Sequence, residues 1–464
     1  LTPASGRTRL YDFFTQAPRT SNPAACAYPL EADFGSTRQV FHLGAASMAA
    51  PGCVAGLLRI HDDLGRLPRA ECAAPARELC RNGVRITDHA ASLLDVVSTL
   101  YLSSSESRRL FQSVTSPDRC LRDGETFRNP DFEGFLDMLV AEGERWFYEG
   151  DVARLVDAFS RDQEGHLRRE DFSSYEVFLR EPLRIQRHGG RIHLNPPPSM
   201  GGTLIAVALA LNTPLEAHAY PFAQASDWKS WIEPLRLMSL LRSEDGIARL
   251  TRTEQASLGE ALESNPEIRK AALILFPEAL CQVRSEGTTQ LSIMDHHGNE
   301  ISLTTSNGAG SGVIVPGTGF MMNNMLGEED LQPGGLGSWK PGRRLASMMA
   351  PLLAELADGS RVATGSGGSN RIRSTLLQIL RHLLERRASI EEAVTAPRLH
   401  WEDSQLHAEQ AAATALREIK GFAPVEHSIP NLFFGGAHTV CRLPDGTLRG
   451  LGDPRRGGVS LLVK

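Results

Sequence analysis

Apolar residues recur along this chain in two rhythms. One is the rhythm of short strands. The run Gly287-Thr288-Thr289-Gln290-Leu291-Ser292-Ile293-Met294-Asp295 opens with a glycine and two hydroxyl residues, then places apolar side chains at Leu291, Ile293 and Met294. The turn His296-His297-Gly298-Asn299 leads into a second such run over residues 301–306. Two runs joined by a short Gly/Asn turn predict a β-hairpin, with Thr288 at the first position of its first strand. Residues 7–14 and 186–193 predict further strands. The other rhythm is helical. Val54, Leu57, Leu58 and Leu64 share one face of a predicted helix over 54–64, and Ile372, Leu376, Leu377, Ile379, Leu380, Leu383 and Leu384 line another. Residues 70–120 predict helices broken at Asn82-Gly83 and near 103–107. Residues 142–157 and 214–260 are helix-rich as well, and 203–211 predicts a buried helix. Strands and helices together give an α+β chain.

Composition narrows the function classes. The chain has 464 residues, 41% of them hydrophobic, enough for a large core. With 49 basic and 55 acidic residues it carries a net charge of −6 and no Lys/Arg-rich run, so nucleic acid and anionic membranes are poor partners. The longest apolar stretch, 204–211, is far too short to span a membrane. Seven cysteines without a CxxC pair predict buried free thiols rather than a disulfide framework or a zinc site.

Several local patterns have a chemical and a plain reading. Ser160-Arg161-Asp162-Gln163-Glu164-Gly165, with Asp171 at the twelfth position, imitates a calcium loop but lacks its first Asp and last Glu, and predicts a turn. His42 and His61 lie among apolar neighbours and read as structural. Gly308-Ala309-Gly310-Ser311-Gly312 is followed by Val313-Ile314-Val315-Pro316 instead of a helix, which excludes a dinucleotide fingerprint. Thr364-Gly365-Ser366-Gly367-Gly368-Ser369-Asn370 does open a helix, so its backbone N–H groups form either a plain capping loop or an anion site. Thr288 reads as an ordinary strand threonine or as a nucleophile. A cut after Gly287 would give it a free α-amine, with a pKa of about 8, that could activate its own hydroxyl.

The ordered set Thr288-Thr289, Asp295…Gly298-Asn299, Gly310-Ser311-Gly312, Pro316-Gly317-Thr318-Gly319, Asn323-Asn324 and Gly365-Ser366-Gly367-Gly368-Ser369 resembles the γ-glutamyltranspeptidase family of N-terminal-nucleophile hydrolases. The likeness is dense over about 288–402. It continues upstream through Asn195-Pro196-Pro197-Pro198-Ser199-Met200-Gly201-Gly202 and returns in Gly452-Asp453-Pro454-Arg455. The resemblance implies a four-layer αββα fold with no cofactor or metal. It also implies self-cleavage into fragments 1–287 and 288–464 that stay together as a heterodimer, and a small-molecule amide or peptide substrate. By resemblance Thr288 is the nucleophile, Ser306 supports its hydroxyl, and Gly367 and Gly368 form the oxyanion hole. Asn307, Glu328 and Ser347 bind substrate. The family's segment before this point implies that the natural beginning is missing, which leaves periplasmic and cytoplasmic locations both open.

The carboxylate clamp departs from the family pattern. Phe14 stands where the family has the Arg that grips the α-carboxylate of the glutamyl group, Met325 where some relatives have Gln, and Ala346 where a Ser-Ser pair would begin. Arg343, Arg344, Arg371 and Arg373 are candidates for a replacement charge. The expected activity is an amide hydrolase or acyl transferase on γ-glutamyl compounds such as glutathione. The alternatives are a related acylase for glutaryl-type or other dicarboxylate amides, and a non-catalytic relative acting as a binding or scaffold protein.

Overall fold

The computed structural model describes residues 1–33, 38–211, 225–242, 250–275, 288–328, 336–417, 423–427 and 432–463. The chain folds into two compact units. One comprises Leu1–Leu10, Arg180–Ser306 and Ala346–Lys464; the other comprises Tyr11–Leu179 and Asn307–Leu345.

The first unit is built on a six-stranded antiparallel sheet. Its strands run in the order Leu448–Leu451, Thr439–Arg442, Arg361–Thr364, Leu352–Glu355, Gly190–Leu194, Leu183–Arg187. One face is covered by helices Met200–Leu211, Ala225–Leu240, Arg252–Glu263, Pro266–Leu275 and Arg371–Glu385, which share one large apolar core. The central helix Met200–Leu211 is almost uniformly apolar, as a helix enclosed on all sides must be. On the other face of the sheet lies the hairpin Thr288–Met294/Glu300–Ser306.

That hairpin is inverted relative to an ordinary half-buried ribbon. Gln290 and Thr304 are buried, whereas Leu291 is 48% exposed. The inward face is a hydrogen-bonded layer. Gln290 Nε2 donates to the Ser292 and Ser302 hydroxyls, both at 3.0 Å, and Thr304 donates to Gln290 Oε1 at 2.6 Å. Ser302 and Ser292 then donate to the carbonyls of Thr364 and His438, each at 2.7 Å, which ties the hairpin to the sheet below. A buried polar layer is stable only when its members are satisfied, and this one is closely bonded.

The second unit is mostly helical: Cys53–Leu64, Arg69–Asn82, Asp88–Val96, Ser105–Phe111, Pro130–Glu142 and Asp151–Asp162. Its core gathers Phe135, Phe147, Tyr148 and Phe172 with Val152 and Val156. The predicted breaks in 70–120 fall at Gly83, which has a φ of 91°, and at the helix-capping Ser104.

Some expectations need correction. The single strand expected over 186–193 is a hairpin, because His188 and Gly189 both adopt positive φ and reverse the chain. The helix at 53–64 buries Ala55 and Gly56 instead of Leu57, because the Phe13 ring occupies the space a Cβ at Gly56 would need. The strand expected over 7–14 is shorter, Leu10–Asp12. Cys120 and Cys441 are buried, but the free thiols Cys26, Cys53 and Cys72 are exposed. At the calcium-like turn, the Asp171 carboxylate accepts the backbone N–H groups of Arg19 and Arg168, both at 2.7 Å. Residues 276–287, just ahead of the expected cleavage point, lie outside the described residues.

Candidate active site

In the first unit the hairpin register places Thr288 directly opposite Ser306, so the two hydroxyl residues expected to cooperate are cross-strand partners. Both are half-buried. The glycine loop arrives from the other side. Ser366–Gly367 pairs with Gly436–Ala437, and the chain then turns into the helix Arg371–Glu385. A Cβ on Gly367 would collide with the Thr288 carbonyl oxygen. Gly368 has a φ of 117°, and a Cβ there would come within 2.7 Å of Gly435 Cα. Only glycine suits both positions: Gly367 by close approach and Gly368 by backbone conformation. Thr288, Ser306, Gly367 and Gly368 are therefore brought together.

The elements holding this corner are heavily charged and buried. Asp453 accepts from Arg398 at 3.0 Å, from Arg455 Nη1 at 3.3 Å and from the Ala437 N–H at 3.0 Å. Arg455 also forks onto Glu409 at 2.6 and 2.7 Å. Burial pulls Arg398 down to about 10. The motif Gly452-Asp453-Pro454-Arg455 thus anchors the strand that pairs with the glycine loop. On the helix side, Arg371 Nε donates to the Phe433 carbonyl at 2.9 Å, and Arg373, fully buried, donates to the Asn370 carbonyl at 3.1 Å. Asn370 in turn donates to Glu402 at 2.7 Å, and Glu402 lies 3.2 Å from His400 Nε2.

Ser347, also in this unit, is buried. Its carbonyl accepts the Met200 N–H at 2.8 Å and the Ser199 hydroxyl at 3.3 Å. It therefore stands at the head of the buried helix that follows the proline run.

Asn307 and Glu328 belong to the second unit and lie on one loop system there. Glu328 is buried, and its Oε1 accepts the Ala309 N–H at 3.1 Å. Asn324 Oδ1 accepts the N–H groups of Ala309 and Gly310 at 2.9 and 3.1 Å, while Asn307 Nδ2 donates to the Met321 carbonyl at 3.1 Å. Gly308, with a φ of 64°, lets this loop close over Glu328.

The clamp region of the second unit is apolar. Phe14 packs against a cluster of Ala17, Ala49, Met325, Leu326, Trp339 and Leu345. The two family departures, Phe14 and Met325, thus occupy one hydrophobic cluster. Arg344, expected as a substitute charge, is engaged elsewhere. It donates to the Phe14 and Glu176 carbonyls and to the Tyr175 hydroxyl, lies 3.6 Å from Asp12, and stacks on Tyr175 and Phe178. Arg371 and Arg373 are likewise held by backbone carbonyls. Sequence reasoning missed Gly435, Gly436 and Arg456, because tertiary pairing alone brings them to the glycine loop.

Comparison with known proteins places this architecture. The family model described as Gamma-glutamyltranspeptidase matches residues 2–463. The fold is similar to that of a cephalosporin acylase from Bacillus halodurans, with a TM-score of 0.75 at 24% identity, covering 99% of this chain and 85% of that one. The acylase ACY 1 proenzyme of Pseudomonas sp. (strain V22) is 28% identical over 91% of this chain and 76% of its own length. The glutathione hydrolase proenzyme of Escherichia coli (strain K12) is 27% identical, covering 87% and 73%. The capsule biosynthesis protein CapD proenzyme of Bacillus anthracis is 27% identical, covering 89% and 75%. The α+β architecture is the fold of that cephalosporin acylase. The chain belongs to the γ-glutamyltranspeptidase family and is a hydrolase or acyltransferase. Among the described residues no helix is long and apolar enough to cross a membrane.

Proposed function

We propose that this protein matures by cleavage between Gly287 and Thr288 and then acts through a threonine acyl-enzyme. The observation that carries this reading is the convergence of Thr288, its cross-strand partner Ser306 and the Gly367-Gly368 loop in one unit. The freed α-amine of Thr288 takes the proton from its own Oγ. Oγ attacks the amide carbonyl, and the negative oxygen is stabilised by the N–H groups of Gly367 and Gly368. Collapse breaks the C–N bond, and the leaving amine takes the proton. Water or an amine acceptor then resolves the ester. Ser306 supports the Thr288 hydroxyl, while Asn307, Glu328 and Ser347 bind substrate. Fragments 1–287 and 288–464 remain associated.

The default substrate is a γ-glutamyl compound such as glutathione. A second reading is an acylase for glutaryl-type or other dicarboxylate amides, with the apolar cluster around Phe14 and Met325 standing in place of the family's guanidinium clamp. Two relatives carry acylase names, which supports that reading.

The test is intact mass and N-terminal sequencing of the purified protein after incubation. These are followed by p-nitroaniline release from γ-glutamyl and glutaryl p-nitroanilides. Two fragments, the smaller beginning at Thr288, and release from one of the substrates are expected. A chain that stays whole and releases neither would overturn the reading.

A further inference from the structure

Two carbonyl groups that flank the glycine loop are held from the hairpin, and one side chain organises that hold. Strand alternation puts three cross-strand pairs on the inward face of the hairpin: Thr288 with Ser306, Gln290 with Thr304, and Ser292 with Ser302. Gln290 is the one amide in this row of hydroxyls, and its neighbours fix which way round it sits. The Ser302 and Ser292 hydroxyls donate to the Thr364 and His438 carbonyls, which can only accept. Both serine oxygens therefore accept from Gln290 Nε2, and Gln290 Oε1 is left to accept from the Thr304 hydroxyl. The two gripped carbonyls bracket the site. Thr364 precedes the glycine loop, and His438 follows the strand Gly436–Ala437 that pairs with Ser366–Gly367. The His438 N–H donates to the Gly365 carbonyl at 3.3 Å, and the Thr364 and Thr439 hydroxyls meet at 2.7 Å. The Gln290 amide also lies against the bare backbone of Gly365, where a Cβ would fall 2.1 Å from its Oε1. Gly365 has no positive φ that would require glycine, so the amide itself is what excludes a side chain there.

We propose that Gln290 is a positioning residue for the reaction. It fixes the strand that carries Thr288 against the two strand ends from which the glycine loop springs. It thereby sets the reach from the Thr288 hydroxyl to the Gly367 and Gly368 N–H groups. Gln290 touches no reacting atom in this role; it acts through Ser292 and Ser302, which carry the hold to the other two strands. An amide suits the place because one end donates to both serines while the other accepts from Thr304, and a carboxylate would have no donor to offer. The effect on rate rests on the acyl-transfer reading, whereas the hold on the glycine loop stands on the hydrogen bonds alone.

The test uses the full chain with Gln290→Met, Gln290→Glu and Ser302→Ala beside the wild type, at a temperature where circular dichroism shows each to be folded. Turnover is read after self-processing, on whichever of the γ-glutamyl and glutaryl p-nitroanilides the wild type accepts. Gln290→Met is expected to lower kcat on the order of a hundredfold with KM little changed, the scale of a nucleophile displaced by about 1 Å. Ser302→Ala, which cuts only the tie to Thr364, should lower kcat less. Gln290→Glu adds a pH signature. Burial among acceptors raises the pKa of the introduced carboxyl, and only its protonated form can donate to the serines. The ratio of Gln290→Glu to wild-type kcat should therefore fall as pH rises, while the ratio for Gln290→Met stays flat. An unchanged kcat in Gln290→Met, a loss carried by KM alone, or a flat ratio for Gln290→Glu would overturn the proposal. Hydrogen exchange read by mass spectrometry needs no turnover and applies to cut and uncut chains alike. Gln290→Met should speed exchange over residues 364–368 and 436–439 on the order of tenfold, the scale of one lost hydrogen bond, and leave the helix Met200–Leu211 unaffected. If that change appears but the wild type hydrolyses neither anilide, the acyl-transfer reading falls and the hold on the loop stands. Exchange that is unchanged over these residues, or raised equally throughout the unit, would overturn the role of Gln290.

Discussion

The nucleophile corner of the first unit and the clamp region of the second diverge from the family pattern to different degrees. At the corner every expected group is present, and the supports are polar or ionic: the Gln290 layer beneath the hairpin, and Asp453, Arg398, Arg455 and Glu409 behind the glycine strand. In the clamp region Phe14 and Met325 share an apolar cluster, and the neighbouring Arg344 is tied to backbone carbonyls. The packing at this corner tolerates little change, since a methyl group at Gly367 already meets the Thr288 carbonyl. A recognition surface has only to match its ligand and can be rebuilt from different residues.

The sharpest way to probe this contrast is Thr288→Ala. We expect no fragment formation and a loss of turnover on the order of a thousandfold or more, read by denaturing gel and initial rates. A Thr288→Ala protein that still cleaves at that position would remove the nucleophile assignment. Gly367→Ala should lower kcat on the order of a hundredfold or more in any enzyme that matures, because the loop must withdraw its N–H from the oxyanion position. An unchanged kcat would place the oxyanion donors elsewhere.

The remaining predictions concern stability. Asp453→Asn leaves Arg398 and Arg455 facing a neutral amide in a buried site. It should cost about 3–5 kcal/mol in urea unfolding, the penalty for breaking a buried ionic network. Phe14→Arg tests the clamp directly. If the apolar cluster is the working form of this region, the introduced charge destabilises the protein by about 3 kcal/mol and does not improve KM for a γ-glutamyl anilide. A stable variant with a lower KM would show that the region still has the family's clamp geometry.

The last effect appears only in acid. His382 is buried against Trp231, and desolvation pushes it down to about 3. In the unfolded chain it titrates near 6.5. It therefore stays neutral in the fold while the unfolded state takes up a proton, so stability is full above about 6.5 and falls as the pH drops towards 3. The slope is up to about 1.4 kcal/mol per pH unit. His382→Phe should flatten that part of the urea-midpoint profile; an identical profile would assign the acid sensitivity to other groups.

The sequence made some of this legible for specific reasons. The hairpin carried its own turn chemistry, so the place of Thr288 followed from local pattern. The glycine loop opened a helix with seven apolar positions at helical spacing. Arg456 gave no comparable signal. It is one of two adjacent arginines, and only the pairing of residues 366–367 with 436–437 separates the anchor from the one beside the glycines. The 183–194 hairpin was hidden because His188 gives little hint that it will adopt positive φ. The charge expected from Arg344 was misplaced because no local pattern shows that a guanidinium is already committed to carbonyls more than a hundred residues away.

The six-stranded sheet has a consequence for what maturation would leave behind. A cut ahead of Thr288 assigns strands Leu183–Arg187 and Gly190–Leu194 to one polypeptide and the other four to the second, with Leu352–Glu355 zipped to Gly190–Leu194 across the divide. Neither polypeptide then owns a complete sheet. The mature form would unfold as one body yet reassemble only when two molecules meet, so its recovery from denaturant should depend on protein concentration while that of the uncut precursor should not.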